Sequence, residues 1–243
     1  MTEQEKFEQR TALAVGAANM AKLRNAHVLI LGLGGVGAYA AEMVVRSGVG
    51  AVTIVDGDVV EPSNRNRQLP ALVSTEGRPK AAVMAERLLD INPQLKIHPV
   101  AQFIRDEATE ELLSTPFDYA VDAIDSLSPK VHFLLCCREK GIPFISSMGS
   151  GGRLNPEGIV VADISETYNC KLARAVRRRL AHYGVRSGIP VGFSPELVAE
   201  SAIDSFVDAA GIRHSVIGTV SYLPAMFGCM CAAAVVRGLL RPA

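Results

Sequence analysis

Branched apolar runs alternate along the chain with stretches of helical composition. Residues 25–31 are a short apolar run, a glycine-rich turn follows at once, and residues 38–47 then have the composition of a helix. Residues 51–55 form a second β-branched run that ends at Asp56. Strand, tight turn, helix and strand in that order close a βαβ unit. A helix is predicted over 79–90 and must end before Asn92-Pro93, because the residue ahead of a proline is pushed out of the α region. Residues 96–101 predict a strand, 107–114 a short helix and 119–124 a buried strand. A helix over 129–140 stops at Gly141, and a strand over 143–147 runs into the turn Gly149-Ser-Gly-Gly152.

This alternation predicts an α/β protein, a Rossmann-like doubly wound and mostly parallel sheet. After Gly152 the pattern loosens into a strand over 159–164, a basic helix over 171–182 and a Gly/Pro-rich connection over 184–195, which together read as a C-terminal substrate-side extension. The expected organisation is one unit over 1–243, with an N-terminal arm at 1–24, a nucleotide-binding core at 25–150 and a substrate region at 151–243. Residues 216–236 carry no charge and match a membrane span in length. Gly218, Thr219, Ser221, Pro224 and Gly228 interrupt that stretch, so it is expected to be a buried helix or strand–helix pair rather than an integral membrane segment.

Charge and cysteine content narrow the function. Lys plus Arg and Asp plus Glu are 25 each, so no global field draws the chain to nucleic acid or a membrane, and an RNA contact needs a local patch. The first ten residues lack the apolar stretch of a secretory signal. Cys136, Cys137, Cys170, Cys229 and Cys231 form no CxxC pair, which predicts reduced thiols in a cytoplasmic protein and no structural zinc. The five histidines are scattered and receive no ligand role.

Gly32, Gly34 and Gly37 fit GxGxxG between a strand and a helix, a turn that lets backbone N–H groups approach phosphate oxygens. Asp56, nineteen residues after Gly37, is placed to hold ribose hydroxyls. A dinucleotide and ATP both satisfy that pattern, so an NAD-dependent oxidoreductase stays in view. Asn64-Arg-Asn-Arg-Gln68 and Lys80 favour a triphosphate, whose charge needs neutralising. Asp122 and Asp125 lie at the carboxyl edge of the strand over 119–124, where Asp125 could hold Mg²⁺ or, with Ser126 as the alternative, cap the next helix. In the helix over 171–182, Leu172, Val176 and Leu180 share one side while Lys171, Arg174, Arg177 and Arg178 take the other, a phosphate-binding patch or a solvated face.

Together, Gly32-Leu-Gly-Gly35-Val-Gly37, Asp56-Gly-Asp58, Ser63-Asn64-Arg-Asn66-Arg67-Gln68, Gly77-Arg-Pro-Lys80 and Asp122-Ala-Ile-Asp125 resemble the ThiF/MoeB superfamily. The resemblance implies ATP and magnesium at Asp56, Asn66, Arg67, Lys80 and Asp125, within a wider ATP site that takes in the glycine turn, Asp58, Ser63, Asn64 and Ser126. It also implies an acyl-adenylate with release of pyrophosphate, and a monovalent cation is compatible with such a site.

Arg10-Thr11, Asp125-Ser126 with Pro129-Lys130, and Gly149-Ser-Gly-Gly-Arg-Leu-Asn-Pro156 are similar to the tRNA threonylcarbamoyladenosine dehydratase branch. That branch implies a tRNA substrate, for which the charge density of Lys171, Arg174, Arg177 and Arg178 offers the candidate contact. It further implies a homodimer in which Arg10 of one subunit reaches the other's ATP, so Lys80, Arg67, Asp125 and Arg10 form the expected catalytic set. Absence of the CxxC pairs counts against the alternative, adenylation of the C-terminus of a ubiquitin-like or sulfur-carrier protein. Ser215, where some members have a cysteine, makes a sulfur-transfer partner doubtful.

Overall fold

The computed structural model describes residues 1–207 and 213–241, and its centre is the sheet that the branched runs predict. The arm over 1–24 is two helices, α1 (Glu3–Val15) and α2 (Ala17–Asn25), followed by β1 (His27–Leu31), α3 (Gly37–Arg46) and β2 (Ala51–Val55). Next come α4 (Lys80–Ile91), β3 (Lys96–Val100), α5 (Glu107–Leu112), β4 (Tyr119–Asp122), α6 (Leu127–Glu139) and β5 (Phe144–Ser147). The remainder comprises β6 (Val160–Asp163), α7 (Lys171–Ala181), β7 (Pro190–Phe193), the hairpin β8 (Ile203–Val207) and β9 (Arg213–Ile217), and α8 (Tyr222–Leu239).

Seven strands pair in the order β3-β2-β1-β4-β5-β7-β6, all parallel except β6 against β7. The chain moves outward from β1 to β3, then returns to lay β4 on the other side of β1. That reversal opens a crevice at the carboxyl ends of β1 and β4, where doubly wound sheets bind ligands.

Alternate side chains divide the core between the two faces of the sheet. Val28 and Ile30 of β1 join Val44, Met84 and Val235 on the face covered by α3, α4 and α8, whereas Leu29 and Leu31 join Phe133, Val176 and Leu180 under α6 and α7. Each of these side chains is almost fully buried, worth about 1.5–3 kcal/mol apiece relative to exposure. The uncharged stretch over 216–236 becomes the end of β9, a turn and most of α8. By length and hydropathy alone α8 would pass for a membrane span, but Leu223, Phe227, Cys231 and Val235, one helical turn apart, are buried against the rest of the protein.

Two departures from the predicted elements matter. The Gly/Pro-rich connection over 184–195 contains β7, paired on both sides between β5 and β6. Proline at its first position and a glycine inside disguise it, since neither residue favours a strand interior. The region after 150 therefore supplies two strands of the central sheet as well as α8. The helix predicted over 129–140 begins two residues earlier, because Pro129 in the first turn gives up only an N–H that has no partner within the helix.

Buried charges tie the helices together. Glu8 of α1 accepts from Arg24 of α2, which holds its carboxyl below the usual range. Burial alone would push Glu42 of α3 up, but Arg87 Nε at 2.6 Å and Arg46 Nε at 2.8 Å reverse that and hold it low.

Candidate functional site

The glycine turn leaves β1 at Gly32, whose φ of 91° suits glycine and whose N–H donates to Val55 O at 2.8 Å. A Cβ at Gly32 would lie 2.7 Å from Ala123 O, and one at Gly37 only 1.8 Å from Gly32 O. These two glycines let the turn close upon itself and upon the end of β4. Gly35 packs against Pro224 of α8, while Gly34 has ordinary space around it and opens on the crevice.

Asp56, one residue past β2, accepts from Leu33 N at 2.6 Å and from Asp58 N at 2.8 Å, so it buttresses the turn from below. Burial raises its pKa; the two amide bonds and Lys80 pull it back, and the Asp58 carboxylate adds to the rise. Lys80 opens α4, is 4% exposed, and places Nζ 3.0 Å from Asp58 Oδ2. A buried ammonium with one carboxylate partner has N–H donors left for an anion.

The other wall comes from β4. Asp125 is exposed at the cleft, and its only described bond is from Ser126 Oγ at 3.3 Å. Neither side chain caps α6, although Ser126 stands at the cap position. Asp122 is not available to a ligand: its Oδ2 meets Lys130 Nζ and Ser146 Oγ at 2.6 Å each, and its Oδ1 accepts from Ile124 N at 3.0 Å. Lys130 also donates to Ser147 O at 3.0 Å, which fixes the exit of β5 toward the loop beginning at Gly149. That loop is tied further by Arg153, 3% exposed, whose guanidinium donates to the carbonyls of Gly149, Gly151, Asn169 and Glu196.

One cleft thus gathers Gly32, Gly34, Asp56, Asp58, Lys80, Asp125 and Ser126. Gln68, the last residue of the Asn64–Gln68 motif, also lines it, as do Phe103 and Arg105, whose parts were not legible in the sequence. Gln68 Oε1 is buried without a hydrogen-bond partner among the described residues, an acceptor at the cleft that water or a bound molecule can satisfy. Ribose, phosphates and one metal-bound carboxylate fit this donor set: acceptors at Asp56, an ammonium at Lys80 and an uncommitted carboxylate at Asp125.

Ser63, Asn64, Asn66 and Arg67 do not line the cleft. They form the turn that delivers Gln68: Asn66 Nδ2 donates to Thr219 O at 2.9 Å, and Arg67 Nη1 to Ser63 O at 2.9 Å and Asn66 Oδ1 at 2.8 Å. Asn64 is buried and accepts from Glu61 N at 3.2 Å. Arg10 is exposed on α1 and is not among the residues that line the cleft.

On α7, Lys171, Arg174 and Arg178 are exposed, but Arg177 turns inward and donates to Ile164 O, Thr167 O and Thr167 Oγ1. Arg179 joins the exposed set. Cys170 is a buried cap of that helix, its Sγ 3.5 Å from Ala173 N. Burial pushes the Cys231 thiol up to about 12 and raises Cys137 as well, so both are inert at neutral pH. The side chain of Ser215 lies outside the described residues.

Comparison with known proteins extends beyond the cleft. A tRNA threonylcarbamoyladenosine dehydratase of Bacillus subtilis is 38% identical over 238 residues, covering 96% of this chain and 94% of that one. The protein of the same name from Escherichia coli is 36% identical over 206 residues, 82% of this chain and 77% of its own. A crystal structure of the Escherichia coli enzyme in complex with ATP matches with a TM-score of 0.89 at 31% identity, covering 97% of this chain and 94% of that one. The ThiF family model matches residues 8–242, which take in the glycine turn, the lysine at the head of α4 and the strands added after residue 150, and the chain belongs to the ThiF family.

Proposed function

We propose that this chain uses ATP to activate the carboxylate of a threonylcarbamoyl group on tRNA and so drives its dehydration by ring closure. The observation that carries this reading is the reach of the likeness: dehydratases match over 96–97% of the chain, so the likeness takes in most of the segment after residue 150, expected to meet the acceptor, as well as the nucleotide turn.

The nucleotide's phosphates lie over the Gly32–Gly37 turn, and its ribose hydroxyls donate to Asp56. Lys80 keeps one donor on Asp58 and turns the others to the phosphates. Asp125 would be the protein ligand for magnesium, which would offset phosphate charge and make the α-phosphorus more electrophilic. A carboxylate oxygen of the substrate forms a bond to that phosphorus as the bond to pyrophosphate breaks. The carbamoyl group then attacks the activated carbonyl carbon and gives up a proton to solvent as AMP departs with the former carboxylate oxygen, so the nucleoside loses the elements of one water. The protein contributes position and charge, with no side-chain nucleophile.

Arg67 and Asn66, bound to each other at the head of the Gln68 turn, form the flank from which a guanidinium can swing to the phosphates. Arg10, exposed on α1, serves the cleft of a second subunit in a homodimer. Exposed Lys171, Arg174 and Arg178 take tRNA phosphates, a role that Arg177 shares only by giving up its backbone bonds. The three segments work as one adenylating unit over 1–243, in the cytoplasm with its tRNA and without need of a sulfur-transfer partner.

The decisive experiment follows tRNA bearing threonylcarbamoyladenosine by nucleoside mass spectrometry after incubation with purified protein, ATP and Mg²⁺. Loss of one water per modified nucleoside, with AMP and pyrophosphate formed in step, is expected. ATP binding with unchanged tRNA would instead favour adenylation of a carrier protein's C-terminus.

A further inference from the structure

Away from the nucleotide cleft's catalytic groups, α5 and α6 bring together three side chains of different chemistry. His132 and Cys136 lie one turn apart on α6, and Glu110 faces them from α5. The imidazole nitrogen, the thiol sulfur and a carboxylate oxygen all lie within 4.8 Å of one another. Cys136 Sγ and His132 Nε2 are 3.5 Å apart. That is a hydrogen-bond separation, and it also matches the roughly 3.5 Å between two ligands held at about 2.0–2.3 Å from a tetrahedral zinc ion, so a metal could replace the shared proton without moving the pair.

We propose that Glu110, His132 and Cys136 form a binding site for a thiophilic divalent cation such as Zn²⁺, with solvent at the fourth position. The Glu110 and Glu139 carboxylates place negative charge beside Cys136, with the Lys140 ammonium opposing them, and a bound cation would displace the thiol proton. Glu110 is exposed and free to fold in as the third ligand, whereas Cys136 is buried and fixes the floor of the site.

Taking the imidazole leaves no orphan behind. His132 Nε2 lies 3.3 Å from Asp106 O, and that carbonyl keeps a bond from Thr109 N at 2.9 Å when a metal replaces the proton on Nε2. Nδ1 then carries the proton. Asp106 itself has φ of 47°, a conformation rarely adopted outside glycine, and the segment before it presents Phe103 and Arg105 to the nucleotide cleft. The site therefore adjoins the segment that lines one side of that cleft. The spacing His132-x-x-x-Cys136 is visible in the sequence, but only packing supplies Glu110.

Co²⁺ is the probe, titrated into the full-length, chelator-stripped and reduced protein. Expected is one Co²⁺ per chain with a thiolate-to-cobalt charge-transfer band in the near ultraviolet, bleached by equimolar Zn²⁺. Cys136→Ser and His132→Ala should abolish the band. Glu110→Gln, at an exposed position that does not endanger folding, should weaken binding about tenfold or more. Mg²⁺ or Co²⁺ held at the nucleotide cleft gives no thiolate band, so failure here is distinguishable from failure of the ATP reading. No band at millimolar Co²⁺, or a band that survives in Cys136→Ser, would overturn the assignment.

Discussion

Lys130 Nζ lies 2.6 Å from Asp122 Oδ2, and both side chains are completely buried. Asp122 ends β4 and Lys130 sits one turn into α6, so the pair pins the start of that helix to the sheet. Ser146 Oγ and Ser147 O complete the coordination of the ammonium and bring the exit of β5 into the same network. The loop carrying Asp125 is thereby suspended between two fixed points, and the Gly149 loop is anchored beside it.

Removing one charge from this pair should be more harmful than removing both. Lys130→Met leaves the Asp122 carboxylate buried without its counter-ion, with an expected loss of about 3–5 kcal/mol in chemical denaturation. The double variant Lys130→Met/Asp122→Leu should recover a large part of that loss. A single variant within about 1 kcal/mol of wild type would show that the ion pair does not hold β4 to α6.

Lys80→Ala should leave the fold unchanged by circular dichroism while lowering ATP-dependent pyrophosphate release by about 100-fold or more, the usual cost of losing a preorganised charge. Lys80 is buried at the cleft with Asp58 as its only described ion-pair partner, so its loss removes charge facing the phosphates rather than a strut of the core. Full activity in a folded Lys80→Ala protein would remove the lysine from the nucleotide site.

The pH dependence of nucleotide affinity should bear the mark of Asp56. Burial raises this group's folded pKa, so its own contribution to stability is present at low pH and lost as pH rises through that value. Binding has the opposite sign, because the ionised carboxylate accepts the ribose hydroxyls. Affinity for ATP should therefore fall on acidification at a pH above the ordinary aspartate value of about 3.9, and Asp56→Asn should weaken binding and flatten the profile. Isothermal titration between mildly acidic and neutral pH checks both; a profile unchanged in the variant would exclude Asp56 as the titrating group.

Arginines of α7 should separate into two kinds. Arg177→Ala removes bonds to Ile164 O and Thr167 and should reduce stability by about 1–2 kcal/mol in urea unfolding. Arg174→Glu with Arg178→Glu should leave stability nearly unchanged but weaken tRNA binding. The slope of log affinity against log salt should fall by about one for each phosphate that the variant no longer neutralises. Equal tRNA affinity in the double variant would take α7 out of the interface.

Much of this protein is legible in its residues because the signals are local. A branched run, a turn that only glycine can make and an aspartate nineteen residues later fix the first βαβ unit, since each is set by interactions within a few tens of residues. Lys80 and Asp125 could be placed at the cleft for the same reason, as they stand at the ends of elements whose boundaries are readable. The ordered motifs from Gly32 to Asp125 were enough to indicate ThiF/MoeB kinship.

Tertiary structure decided what depends on partners distant in the chain. It inserted β7, hidden by Pro190 and Gly192, between two other strands, because pairing on both edges outweighs poor local propensity. Asp122 and Asp125, three residues apart and alike in sequence, received opposite fates: one neutralised by a lysine within the core, the other left facing the cleft. It also turned Arg177 inward while leaving Arg178 in solvent, and set Glu110 of α5 against two ligands of α6. In each case sequence supplied the chemical group, and packing between distant segments determined which groups were committed to one another and which remained free to meet a ligand.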